Sequence, residues 1–199
     1  MSAAEHTIDV IILGEEGIGK TSLARTLTEG AFPVADSLFP LNVAFQVCCT
    51  NVETSLSAFD HVYHIRVHEP SDSASIKTTL NKAQCAYLCF DASCPATFNS
   101  VRQIWNRHVR NNKNNVILII VGLKHDLACD AGTHQLLTSE GLQPITLEQG
   151  QMLSRDLKAS GYVEVSSLRY MGIQTLKETT VFEFVANSNL KEKKRCTVM

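Results

Sequence analysis

Near the start of the chain, Gly14-Glu15-Glu16-Gly17-Ile18-Gly19-Lys20-Thr21 reads G-x-x-x-x-G-K-T, directly after an apolar run. That spacing makes a phosphate cradle. Gly14, Gly17 and Gly19 let main-chain N–H groups, Ile18 among them, wrap around phosphate oxygens. A helix that opens at Lys20 adds positive potential at its N-terminus, with Ser22 in its first turn. Lys20 is placed to reach the β- and γ-phosphates, and the Thr21 hydroxyl to ligate Mg²⁺. The chemistry is the binding of a nucleoside di- or triphosphate, and the motif alone does not choose the base.

Such a cradle needs a strand to enter it and a helix to leave it. Ile8–Gly14 reads as the strand and Lys20–Gly30 as the helix. Val43–Cys49 and His61–Val67 read as two strands around a polar connection. Cys85–Asp91 and Asn115–Gly122 are continuous apolar runs, as expected of parallel strands covered on both faces. Pro95–Asn111 carries Phe98, Val101, Ile104, Trp105 and Val109 at helical spacing, which makes Trp105 a core residue. Leu147–Ala159, Tyr162–Ser167 and Met171–Asn189 follow as helix, strand and helix. Strands alternating with helices predict an α/β fold, a mostly parallel six-stranded sheet with helices on both faces. Ligands of such sheets bind beyond the C-terminal ends of the strands.

Two further clusters fall at those ends. Leu123-Lys124-His125-Asp126 follows one strand and Val165-Ser166-Ser167-Leu168 the next. With these residues the chain resembles the Ras superfamily of P-loop small GTPases, and its Rac/Rho branch in particular. Gly30–Pro33, Phe98–Arg110, Leu142–Gly150 and Tyr162–Leu168 fall where that branch has similar segments, so the likeness covers nearly the whole chain. Asp130–Gln143 takes the place of the branch's extra helix. The resemblance implies GTP/GDP and Mg²⁺ as ligands. It implies that Asp126 accepts from guanine N1 and the 2-amino group, that Lys124 lies over the base and that Phe32 stacks on its edge. By the same resemblance Ser166, Ser167 and Leu168 would form the last base loop, where the Ser167 N–H would meet the guanine oxygen. Residues 1–190 are then one nucleotide-binding domain, with an insert near 130–143.

The pattern breaks at the positions that hydrolyse GTP. Glu16 replaces a glycine facing the γ-phosphate, where a carboxylate crowds the attacking water unless it turns outward. Switch I, Val34–Val43, lacks the threonine that closes on Mg²⁺; Leu41 or Asn42 falls near that place. In switch II the family's D-x-x-G-Q has become Val67-His68-Glu69-Pro70-Ser71-Asp72-Ser73. The γ-phosphate glycine has no counterpart, and the glutamine that orients water is missing. Glu69 remains as a candidate outer-shell Mg²⁺ acid, with Asp72 or Ser73 as a candidate water holder. Leu123 replaces an asparagine or threonine, at a cost of about 1 kcal/mol for one lost hydrogen bond.

The chain ends Lys191-Glu192-Lys193-Lys194-Arg195-Cys196-Thr197-Val198-Met199, a Cys-a-a-X farnesylation signal behind four basic residues. One prenyl chain holds a membrane only marginally, and the basic residues supply the second attachment. Residues 191–199 are therefore read as a polybasic, prenylated tail with Cys196 as the lipidated residue. The chain of 199 residues is 44% hydrophobic and 19% charged, with formal net charge −2, which argues against nucleic-acid binding. The polar N-terminal stretch is neither a signal nor a transit peptide, and no apolar run approaches the roughly 20 residues of a membrane span. The seven cysteines include Cys85 and Cys89 in an apolar run without histidines at ligand spacing, which reads as buried reduced thiols. His61, His64 and His68 read as a half-exposed strand face.

These readings converge on a monomeric GTP-binding signalling protein with slow or absent hydrolysis. It is expected on the cytoplasmic face of the plasma membrane or endomembranes and in the cytosol. Effectors and exchange factors are its expected partners through the switch loops. A pseudo-GTPase that keeps the fold as an interaction module and binds nucleotide weakly or not at all is the rival. A P-loop kinase or ATPase is disfavoured by Lys124 and Asp126.

Overall fold

A computed structural model of the chain describes residues 4–29, 53–55, 61–112, 114 and 116–196. Phe32, the switch I stretch, the expected strand Val43–Cys49 and Thr197–Met199 lie outside the described residues. So do the side chains of Lys191, Lys193, Lys194, Arg195 and Cys196.

Six strands form one sheet: β1 (Ala4–Leu13), β2 (Glu53–Ser55), β3 (His61–His68), β4 (Cys85–Asp91), β5 (Ile117–Leu123) and β6 (Gly161–Glu164). Their order is β2-β3-β1-β4-β5-β6. β3, β1, β4, β5 and β6 run parallel, and β2 closes one edge antiparallel to β3. The chain winds outward from β1 in both directions, so the β1–β4 boundary is the switch point where such sheets bind ligands.

The apolar strands divide their side chains between two layers by parity. Ile8, Val10 and Ile12 face one layer with Tyr87, Ile119 and Val121, against α1 (Lys20–Glu29) and α7 (Ile173–Cys196). Ile11, Leu13, Leu88, Phe90 and Ile120 face the other, with Leu80, Val101 and Leu153 from α2 (Ser73–Leu80), α3 (Pro95–Ile104) and α6 (Leu147–Asp156). β4 and β5 are buried along their whole length, as continuous apolar runs require. The Tyr87 hydroxyl and Thr180 Oγ1 meet at 2.6 Å and tie β4 to α7. Of two short helices after β5, α4 (His125–Ala128) precedes the stretch expected as an insert and α5 (Ala131–Ser139) lies within it. α7 runs without a break past residue 190, where the tail was expected to begin.

Several elements differ from expectation. β2 falls inside the expected polar connection; a three-residue edge strand is held by main-chain pairing and needs no apolar run. The single helix expected over Pro95–Asn111 splits at Trp105 into α3 and a π-helical segment, Trp105–Val109, in which the Arg110 N–H donates to the Trp105 carbonyl at 2.9 Å. Trp105 packs half-buried on the second layer, with Arg110 over its ring. In a strand with period 2, His64 and His68 share a face with Arg66, and the side chain of His61 lies outside the described residues.

α2 carries no strong sequence signal, because Ile76 and Leu80 are its apolar residues. Its start is fixed by Asp72, which caps the helix in a reciprocal box with Ser75. Asp72 accepts from the Ala74 and Ser75 N–H groups at 2.9 Å each, so it is engaged as a cap and not as a water holder. Ser73 is the first residue of the helix itself. The Ser75 hydroxyl, then its N–H, holds the Asp72 carboxyl below the ordinary carboxylate range. A carboxyl depressed in the folded state stabilises above its ordinary range, and that contribution fades as pH falls through it. Asp72→Ala is therefore expected to speed amide exchange at Ala74 and Ser75 near neutral pH, with the difference closing only as pH falls below the ordinary carboxylate range. Equal exchange in both proteins at neutral pH contradicts the cap.

Candidate functional site

Five loops meet at the C-terminal ends of the parallel strands. The first joins β1 to α1. Gly14 sits so close to β4 that a Cβ there would lie 2.6 Å from the Cys89 carbonyl oxygen and 2.5 Å from Ile18 Cδ1. Gly19 has φ +102, which turns the main chain into α1. Ile18 is buried and anchors the loop in the core, and Glu15, Glu16 and Gly17 stand exposed above it. Among the described residues, no acceptor meets the main-chain N–H groups of Gly17, Ile18 and Gly19. Unmatched donors at a helix N-terminus favour an anion. Lys20 spans the loop and donates from Nζ to the Glu15 carbonyl at 2.7 Å.

The second loop leaves β3. There the Thr21 hydroxyl donates to Glu69 Oε1 at 3.0 Å. Two hard oxygens, one in the first turn of α1 and one in the loop after β3, suit Mg²⁺, which prefers oxygen ligands and keeps several waters. The oxygens of Thr21 and Glu69 are thus of the kind that would fit the ion. His68, next in the chain, turns away: its Nε2 lies 2.8 Å from Asp9 Oδ1 on β1.

The third, fourth and fifth loops build the base side. Lys124 has φ +54 and projects over the phosphate loop, donating from Nζ to the Gly17 carbonyl at 3.2 Å. The same Nζ lies 2.7 Å from Asp91 Oδ2, a carboxylate 9% exposed at the end of β4. Lys124 thus ties the base loop to the phosphate loop, a link that Leu123, buried in the core, cannot make. Asp126 is 9% exposed and accepts from the fully buried Ser166 hydroxyl at 2.6 Å. Ser166 Oγ in turn accepts from the Arg169 N–H at 3.1 Å, which curls the last loop. The His125 N–H donates to the Val165 carbonyl at 3.1 Å and clips the two base loops together. Among the described residues the Ser167 N–H meets no acceptor, and Leu168 is exposed.

Gly14, Gly17, Ile18, Gly19, Lys20, Thr21, Ser22, Lys124, Asp126, Ser166, Ser167 and Leu168 therefore fall on this one end of the sheet. Phe32 lies outside the described residues. Asp91 escaped sequence reasoning, since it closes an apolar run and looks like a strand end. A carboxylate at the C-terminal end of a buried parallel strand was the available signal. Cys85 and Cys89 are free thiols, and burial pushes both well above their ordinary range. Among the described residues, no group of three or more His, Cys, Asp and Glu side chains could hold a metal ion by itself.

This geometry accords with the comparisons. The family model described as "Ras family" matches residues 9–186. The human Rho-related GTP-binding protein RhoD is 29% identical over 163 residues, 81% of this chain and 75% of that protein. The chain thus belongs to the Ras family, as a small GTPase of its Rho branch.

Proposed function

We propose that the chain binds GTP and GDP with Mg²⁺ and presents its switch loops to effectors, while hydrolysing GTP slowly or not at all. The meeting of Lys20, Lys124 and Asp126 at one end of the sheet carries this reading. The cradle N–H groups and Lys20 hold phosphate oxygens. Lys124 covers the base, and Asp126, already fixed by Ser166, accepts from the guanine edge. Mg²⁺ would sit on Thr21 beside Glu69 and neutralise phosphate charge.

The hydrolytic side is poorer. Pro70 has no N–H to offer the γ-phosphate. Asp72 is engaged as the cap of α2. No glutamine stands in the Glu69–Ser73 stretch to orient water. Loss of a water-positioning group removes transition-state stabilisation and leaves ground-state binding intact. Single-turnover hydrolysis of loaded GTP is expected at least tenfold below the roughly 4 × 10⁻⁴ s⁻¹ intrinsic rate of Ras. A rate at or above that value sinks the damaged-catalyst part.

Farnesylation of Cys196, backed by Lys191, Lys193, Lys194 and Arg195, would tether the protein to the cytoplasmic face of a membrane. Among the described residues no helix is long and apolar enough to cross one. A Cys196→Ser protein that still partitions to membranes as the parent does argues against the tether.

A further inference from the structure

Beside the base loops, but outside the nucleotide cradle, three side chains line up. Cys129 is an exposed residue at the C-terminal end of α4. Its Sγ lies 3.4 Å from Nε2 of His125, one helical turn earlier. The other ring nitrogen, Nδ1, faces Glu164 Oε2 at 3.6 Å, at the end of β6. Glu164 is itself held, because the Tyr162 hydroxyl donates to its Oε1 at 3.1 Å. Burial, and then the Glu164 charge, pushes the Tyr162 phenol well up, so it stays protonated as a donor. The buried Cys85 and Cys89 have no such access to solvent.

A nucleophile within reach of a base, and the base oriented by a third group, is the arrangement that activates a thiol. With Nδ1–H turned to Glu164, the Nε2 lone pair is left for the sulfur. We propose that Cys129 is a reactive thiol site that exchanges with small-molecule disulfides, with His125 as its base and Glu164 as the positioning carboxylate. The Sγ proton passes to His125 Nε2, and Glu164 stabilises the imidazolium. The thiolate attacks one sulfur of R–S–S–R: a Cys129 S–S bond forms, the original S–S bond breaks, and R–S⁻ leaves with the electron pair. That thiolate takes the proton back from His125. Cys129 is oxidised to the mixed disulfide and one R–S half is reduced to a thiol, so no further oxidant is needed. Nothing in the step requires a bound nucleotide.

The test uses the full chain and oxidised glutathione as the probe. Trypsin releases residues 125–155 as one peptide in which Cys129 is the sole cysteine, so its adduct is read without interference. Folded protein near neutral pH should form the Cys129 adduct about tenfold faster than protein unfolded in urea, because a free thiol is only a few per cent ionised there. His125→Phe should slow the folded rate about tenfold, and Glu164→Gln by a smaller factor. The His125→Phe gap should narrow in alkaline solution, where hydroxide takes the thiol proton in place of His125. Circular dichroism verifies that each variant folds, and the comparison with urea needs no variant at all. A folded rate no faster than the unfolded rate overturns the proposal. Equal rates for parent and a folded His125→Phe protein near neutral pH do the same.

Discussion

Asp126→Ala is expected to lower affinity for GTP by about two to four orders of magnitude. On the proposed function the parent carboxylate would offer two acceptors to a guanine edge, and a hydrogen bond to a charged group is worth about 1.5–3 kcal/mol. Two of them give about 3–6 kcal/mol, at about 1.4 kcal/mol per factor of ten. The carboxylate is prepared for that role before any ligand arrives, since it is nearly buried and held by Ser166. Little ordering is left for binding to supply. An internal control separates base reading from general damage. Inosine triphosphate lacks the 2-amino group, so the parent should bind it more weakly than GTP, and the alanine variant should bind the two alike. Titration calorimetry on nucleotide-free protein measures both. A variant that still prefers GTP over the inosine analogue shows that Asp126 does not read the base. The variant also strands the Ser166 hydroxyl, which costs about 1–3 kcal/mol of stability, so melting is followed alongside.

The second large effect is structural. Gly172→Ala, at the turn that feeds α7, should destabilise the protein by about 3 kcal/mol, which for a chain of this size lowers Tm by about 6–12 °C. Two conflicts combine at this position. Gly172 has φ +71, a conformation that costs an L-residue about 1–2 kcal/mol. A Cβ there would also lie 2.0 Å from the Glu164 carbonyl oxygen, a main-chain atom at the end of β6. Relief requires moving the strand end that leads into the Ser166 loop, and overpacking of that kind costs a further 1–3 kcal/mol or about that. Gly141 supplies the matched control. It has the same φ, +71, and nothing within 4 Å of its Cβ direction. Gly141→Ala should therefore show the conformational cost alone, about 1 kcal/mol. Equal losses at the two positions in thermal denaturation contradict the close approach to Glu164.

Much of this frame was legible because burial leaves a long signature. Cys85–Asp91 reads correctly as a strand, since a six-residue apolar run closed by one acid has few other uses in an α/β sheet. The phosphate loop was legible because strand, glycine spacing and helix agree with one another. α2 was not, because its stability comes from the Asp72–Ser75 cap and two apolar residues, which make no periodic pattern. The break at Trp105 is a local change of hydrogen-bond register, and the apolar spacing around it is too short to distinguish a π turn from an α turn. The Lys124–Asp91 pair joins residues from adjacent strand ends. Such a contact exists only after the sheet has formed, and neither residue signals it alone. The same holds for Cys129, His125 and Glu164, whose last member comes from a different strand. In switch II the sequence names Glu69 as the candidate acid, but its approach to Thr21 exists only once β3 and α1 are brought together.

Identifying the nucleotide released when freshly purified protein is denatured tests the account most directly. If the proposed function holds, chromatography of the supernatant should show mainly GTP, at close to one per chain, retained through Asp126 and Lys20 and left unhydrolysed at switch II. Protein that carries no guanine nucleotide, and whose melting temperature GTP and Mg²⁺ leave unchanged, contradicts the account, since a tight ligand must raise stability by mass action.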